Sequence, residues 1–464
     1  MARSRLMVRE TRPNSVVSAA AFCILDVAFR RLFDELKLTF PPSLGGCGVL
    51  FGTLLLLRAL SKDAAESVYK KLLPGAELLA KWLPVFFVPS LVTLPLAEGL
   101  SSSAELIKVA IVVVGGFLVT LLTTSFSVVS VRQLLSLGGN NDQQDKEEDP
   151  LADVDDPLMA MSIKAVQYAE KNVVLPSQRG FSNTLMRNLW FLTFASGAGA
   201  LGLDKFTDLT EISKRLKALF LLSTTLTSFV FGSRLPVSFK KLIHPLVTCT
   251  AMTWAGAAGL AAATGKTFHS VLKYYRTGSM QLWKAGAGDV LLFLLGPAVV
   301  SLAISMYGRR RLMRDNIAEV GTAVSVSTAG GIFGTALAVR LLNLSNPYLR
   351  LSMLSRNITS PLAIAIASIL GADVSLAVSM VVVTGLIGAN FGASILDAFG
   401  VKDPVARGLG IGAAAHGLGT AAFANEKDAF PFAAIAMALT ASAATVTVSI
   451  PVLRKIILQL ALGS

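Results

Sequence analysis

The chain is 464 residues long, 53% hydrophobic and only 15% charged. Soluble domains run near 25% charged residues, so a chain this long and this poor in charge cannot clothe an ordinary aqueous surface, and a soluble multidomain enzyme is excluded. Lys and Arg number 42 against 29 Asp and Glu, a net charge of +13, and residues 140–157 hold eight of those acids with one lysine, so the remainder is strongly basic.

The apolar residues fall into runs of about 18–25, the length of a helix that crosses roughly 30 Å of hydrocarbon. The expected fold is an all-α polytopic membrane protein of about 12 transmembrane helices, with internal repeats and broken helices near the midplane. The start, MARSRLMVRETRPNS, lacks an apolar region followed by a small-residue cleavage site, so it is not a secretory signal; it is either an organellar transit remnant or a basic tail. Spans are expected over 15–33, where Asp26 weakens the pattern, then 42–60, 76–97 and 105–131. They make up a first membrane unit, 1–137.

Residues 138–157 have almost no large apolar side chains and read as an acidic, disordered linker. A second unit, 158–464, opens with an amphipathic stretch, MAMSIKAVQYAEKNV, at helical spacing for the membrane surface. Its spans are expected at 184–202, 216–233, 242–263, 288–306, 317–342, 348–371, 374–399, 405–423 and 431–460. FFVPSLVTLPL (86–96) parallels LLGPAVVSLAI (294–304), and FPPSLGG (40–46) parallels IHPLVTC (243–249) at nearly the same offset. Such repeats build transporters whose sites lie where broken helices meet.

Four breaks interrupt the apolar runs, at Pro89, at Pro297, at Arg356-Asn357-Ile358-Thr359-Ser360-Pro361 and at His416-Gly417-Leu418-Gly419-Thr420. A broken helix in lipid must turn its freed N–H and C=O groups toward protein, water or a ligand. The first two breaks are either kinks or parts of a site. In the third, Asn357, Thr359 and Ser360 are capping types and Pro361 suits a first helical turn, so a helix start faces whatever precedes it with N–H groups that suit an anion. Arg356 adds a fork matched to a carboxylate, unless it simply meets headgroups. His416 is an ionisable residue at membrane depth, either functional or a packing residue. Asn390 is an amide inside an apolar run that needs a partner. The pairs Gly330/Gly334, Gly388/Gly392 and Gly408/Gly412 read as helix-packing faces and suggest a homodimer.

Enzyme signatures fail where tested. Gly265-Lys266-Thr267 lacks the glycine that a phosphate loop requires at position 260, which is Leu260, and neither a G-x-S-x-G elbow nor H-E-x-x-H occurs. Three cysteines (Cys23, Cys47, Cys249) and three histidines (His244, His269, His416) have no ligand spacing, so no metal or cofactor is expected, and nothing points to nucleic acid.

The stretches RNITSPLAIAIASILG and VVVTGLIGANFGASILDAFGVKDPVARGLGIGAAAHGLGTAAFA resemble the LrgB/CidB-type membrane proteins, with their hydroxyl-rich helix start and small-residue-His-x-Leu-Gly-Thr-Ala segment. FPPSLGG and LPVFFVPSLVTLPL are similar to the LrgA/CidA type. A fusion of both across an acidic linker resembles the plastidic glycolate/glycerate translocator family of plants and algae. Against the Lys-Ser-Val-Thr-Thr-Pro of bacterial relatives, this chain keeps charge and hydroxyls but alters their geometry. It also begins almost at its first span, so a full transit peptide is missing or removed.

The resemblance implies a chloroplast inner-envelope carrier in photorespiration that exchanges glycolate for glycerate or cotransports either with a proton. It also implies the bacterial alternative, a holin-like pore or regulator of envelope integrity. On the carrier reading the substrate carboxylate sits at the 357–361 helix start beside Arg356, and its hydroxyl meets Thr359, Asn390 or Thr420. Ser360 and His416 line the same cavity, with Pro89, Pro297, Pro361, Gly417 and Gly419 as the breaks around it.

Overall fold

A computed structural model describes residues 2–38, 40–96, 103–138, 181–203, 210–236, 239–240, 243–279, 281 and 284–463. The acidic stretch beyond Gly138 and the surface segment 158–172 lie outside these residues. The chain folds into successive helices, with no strand among the described residues. The first part forms α1 (Ala2–Glu35), α2 (Pro42–Leu60), α3 (Lys62–Phe86), the short α4 (Val88–Val92) and α5 (Ser103–Gly138). Next come α6 (Asn183–Leu203), α7 (Thr210–Arg234), α8 (Pro245–Ala263), α9 (Phe268–Tyr275), α10 (Ala287–Phe293), α11 (Leu295–Gly308) and α12 (Arg310–Asp315). The last part holds α13 (Ile317–Ala329), α14 (Thr335–Leu341), α15 (Pro347–Met353), α16 (Ser360–Leu370), α17 (Val374–Ala398), α18 (Pro404–Ala422), α19 (Phe430–Ser449) and α20 (Pro451–Leu462). A π-helical turn, Gly330–Gly334, joins α13 to α14.

Proline and short polar caps punctuate these elements. Asn346, Asp373 and Asp403 each accept a backbone N–H in the first turn of α15, α17 and α18, which satisfies donors that a helix start leaves open. Among the described residues nine helical stretches are long and apolar enough to cross a membrane: α2, α3 continued to Leu96, α5, α7, α8, α10 with α11, α13 with α14, α17 and α19. The all-α polytopic class stands.

Two of the expected spans are not crossings. Ser352 Oγ donates to the Asp373 carbonyl at 2.9 Å across 21 residues, which a continuous helix would hold roughly 32 Å apart. The chain from α15 through the 354–359 break to α16 therefore enters and comes back. Arg407 Nε and Nη2 each lie 2.8 Å from the Glu426 carboxylate, 19 residues on, where a straight helix would separate them by roughly 28 Å. The reversal is at His416, at φ 43° and ψ −140°, so α18 is two antiparallel arms rather than a span over 405–423. Hydropathy and length measure how much apolar chain there is, and not which way it runs. The span over 431–460 is likewise divided, because Ile450 before Pro451 adopts extended backbone that ends α19.

α5 fixes the depth of everything around it. At one end Lys108 bonds Glu105 at 3.2 Å and the Asn343 carbonyl at 2.9 Å. At the other end Arg132 pairs with Asp403 at 3.4 Å and Glu319 at 3.9 Å. The two cations stand about 36 Å apart along the axis, enough to pass the hydrocarbon, with Thr120 halfway. The first re-entrant hairpin starts beside the Lys108 end, after Asn343. The second starts at Asp403, beside the Arg132 end. The two enter from opposite sides.

In the first part of the chain, α1 to α3 pack around α11. Asp26 is wholly buried, yet Arg30 Nε lies 2.7 Å from one of its oxygens and Ser43 Oγ donates to the other at 2.5 Å. The acid that weakened the 15–33 pattern thus carries its own counter-ion one turn away, as helix neighbours do at i and i+4. The paired segments 86–96 and 294–304 are both broken helices, at the α3/α4 and α10/α11 junctions.

Candidate functional site

The tips of the two hairpins meet at the middle of α5. Arg356, in the first tip, is 2% exposed and is one of the largest wholly buried side chains. Its Nη2 donates to Thr120 Oγ1 at 3.1 Å, while Nε and Nη1 have no partner. The Thr120 hydroxyl in turn donates to the Gly116 carbonyl at 2.8 Å. A Cβ on Gly116 would stand 2.5 Å from the guanidinium carbon, so the arginine lies in a notch that only glycine leaves open.

No buried acid among the described residues pairs with this cation. Among the described residues the buried acids are Asp26, Asp289 and Glu319. Asp26 is held by Arg30 and Ser43, Asp289 by Thr277, Gly278 and Gly286, and Glu319 by Arg132. Arg407, another buried cation, is bound to Glu426 and to Asp397 at 2.6 Å. An ion taken from water into an apolar interior loses several kcal/mol of hydration, which a partner must offset. Arg356 has one neutral hydroxyl partner and two open nitrogens, so most of its donors are unused among the described residues.

The neighbouring groups complete the setting. Asn357 Nδ2 donates to the Ala413 carbonyl of the second hairpin at 3.2 Å, and its Oδ1 has no partner. A Cβ on Gly331, in the π turn, would stand 2.7 Å from that amide, so the turn brings a bare backbone against Asn357. Thr359 occupies the N-cap position of α16, yet its hydroxyl makes no capping bond and is unpartnered. Ser360 and Pro361 form the first turn of α16 just behind it; Pro361 has no N–H and Leu362 and Ala363 both donate to the Thr359 carbonyl, so of the first four backbone positions only Ser360 keeps an N–H free of that bond.

In the second tip His416 is buried, with Nε2 2.8 Å from the Val381 carbonyl, and a Cβ on Gly385 would touch its ring. The ring acts as a strut between the hairpin and α17. Gly419 faces Ala415 across the reversal, Gly417 lies beside Met437, and Thr420 Oγ1 donates to the Ala433 carbonyl at 3.3 Å. Phe117 reaches Gly388 beside Ala415, which puts this tip level with Arg356.

Three expected residues lie elsewhere. Asn390 is exposed, and its Nδ2 bonds back to the Leu386 carbonyl at 2.9 Å, so the amide finds its partner within its own helix. Pro89 packs near Gly288, and Pro297 lies next to Gly296, which rests on the Asp26–Arg30 pair. The Pro89 break thus packs against α10, and the Pro297 break against α1. Gly388, Gly392, Gly408 and Gly412 all face side chains or carbonyls of this same chain, while Gly330 and Gly334 meet open space. Among the described residues no group of three His, Cys, Asp or Glu side chains gathers to hold a metal.

Sequence reasoning missed Gly116 and Thr120. The signal was VVVGGFLVTLL, where a glycine and a threonine four apart share one helix face in an otherwise apolar span.

The LrgB-like family matches residues 225–455. The chain is 34% identical over 445 residues to plastidal glycolate/glycerate translocator 1, chloroplastic, of Arabidopsis thaliana, an alignment covering 96% of this chain and 80% of that relative. It is 29% identical over 134 residues to the uncharacterized protein YwbG of Bacillus subtilis strain 168, covering 29% of this chain and 59% of that one. No solved structure matches significantly.

Proposed function

The chain belongs to the plastidal glycolate/glycerate translocator family, LrgB-like in its later part, and from that membership we propose that it carries glycolate and glycerate across the chloroplast inner envelope. It is a multi-pass plastid membrane protein and a transporter rather than an enzyme. The observation that carries the reading is Arg356, a buried cation without an acid, held at mid-membrane where two opposed re-entrant hairpins meet. A small 2-hydroxycarboxylate supplies the missing charge. Its carboxylate takes the open donors of Arg356 with the Ser360 N–H, and its hydroxyl meets Asn357 Oδ1 or Thr359.

Charge balance favours exchange. Bound monocarboxylate neutralises Arg356, whereas the empty carrier must reorient an unpaired cation through an apolar interior, which is slow. A proton taken up with substrate would leave the loaded site cationic again. The division into an LrgA-like unit, 1–137, and an LrgB-like unit, 158–464, joined by the acidic linker, fits the position of the family match. A homodimer would use the exposed face at Gly330 and Gly334.

Proteoliposomes test the reading. Glycerate trapped inside should accelerate glycolate uptake, with saturation. Uptake that neither saturates nor responds to trapped glycerate would instead point to a holin-like pore.

A further inference from the structure

We infer that the amino-terminal part of the chain positions the anion-binding group: Thr120 on α5 orients the Arg356 fork, and Gly116 gives it room. The inference rests on the carrier reading above and adds to it a positioning residue and a contribution that lies 236 residues away in sequence.

The geometry carries the argument. A long guanidinium side chain has several rotamers, and bidentate recognition of a carboxylate needs two N–H groups parallel in one plane. The Thr120 hydroxyl gives its proton to Gly116 and so can only accept from Arg356. That bond fixes one nitrogen and the plane of the group. Nη2 carries two hydrogens, and whichever one Thr120 takes, the other still completes a fork with Nε or with Nη1, the two nitrogens left open. The orienting bond therefore uses one of the two forks and leaves the other whole for a carboxylate.

Exchange kinetics of the full-length protein in liposomes test this. Thr120→Val keeps the shape and removes the acceptor. It should raise the half-saturation concentration for glycolate and glycerate by about tenfold, with the maximal exchange rate changed less than about twofold. Thr120→Ser should restore wild-type affinity. Gly116→Ala should abolish uptake, whereas Gly115→Ala should not, since a Cβ there meets nothing within 4 Å.

Wild-type affinity in Thr120→Val beside an inactive Arg356→Gln would overturn the positioning role and leave the carrier reading intact. Normal exchange in Arg356→Gln would overturn the reading itself. A loss in Thr120→Val that serine fails to restore, accompanied by a lower melting temperature, would make Thr120 structural and overturn the inference as well.

Discussion

Replacing Arg356 by glutamine should make the empty protein more stable while destroying its transport. The guanidinium is 2% exposed and has one hydroxyl partner and no acid, so the empty fold bears an ion whose lost hydration is poorly offset. Removing it should stabilise the empty state by roughly 1–4 kcal/mol, the range seen when buried ion pairs give way to packed neutral side chains. Binding moves the other way. Deleting one partner of a buried charge pair costs about 3–5 kcal/mol, so apparent affinity for glycolate should fall by roughly two to three orders of magnitude. Thermal melting of the detergent-purified protein, with and without glycolate, measures both. Wild type should melt lower than Arg356→Gln when empty and gain stability as glycolate is added, since a ligand bound only to the folded state stabilises it by mass action. Arg356→Lys should keep part of the affinity, because it retains the charge without the planar fork. An empty Arg356→Gln that melts lower than wild type and still responds to glycolate would refute the reasoning, because the arginine would then be a structural cation.

Other substitutions probe the frame around the site. Arg407→Gln strands Glu426 without its bidentate partner and should lower stability by about 2–4 kcal/mol, visible as a lower melting temperature. His416→Gln keeps an N–H for the Val381 carbonyl and should transport, whereas His416→Leu should lose most activity and stability; equal uptake by both would remove the strut role. Gly296→Ala would place a Cβ 2.3 Å from Asp26 Oδ2, and the forced shift should destabilise the first part by about 1–3 kcal/mol, read by the same melting assay.

The breaks that matter were legible as residues but not as shapes. Arg356 to Pro361 and His416 announce themselves as polar or helix-stopping groups inside apolar runs, and both tips are where the sequence suggests. That each run turns back was hidden, because 348–371 and 405–423 have the bulk of crossing helices, and only contacts such as Ser352 with Asp373 reveal the return. Asn390 was misjudged for a local reason: a helix lets an amide bond the carbonyl four residues earlier, so a polar side chain in an apolar span need not face a site. Gly116 and Thr120 were overlooked because their meaning lies in a partner far along the chain, which periodicity cannot express.

The notch at Gly116 also bears on how the membrane fold can be assembled. α5 is long and apolar enough to cross the bilayer by itself. The loop that carries the arginine has no such licence, because a lone guanidinium at the bilayer centre is disfavoured by at least about 2.5 kcal/mol even on an insertion scale. Its descent must wait until α5, α13 and the second hairpin have closed around a vacancy lined by Thr120, Gly331 and Ala413. Seating the arginine is thus costly in any partly assembled fold, and its favoured place before the notch closes is the membrane surface.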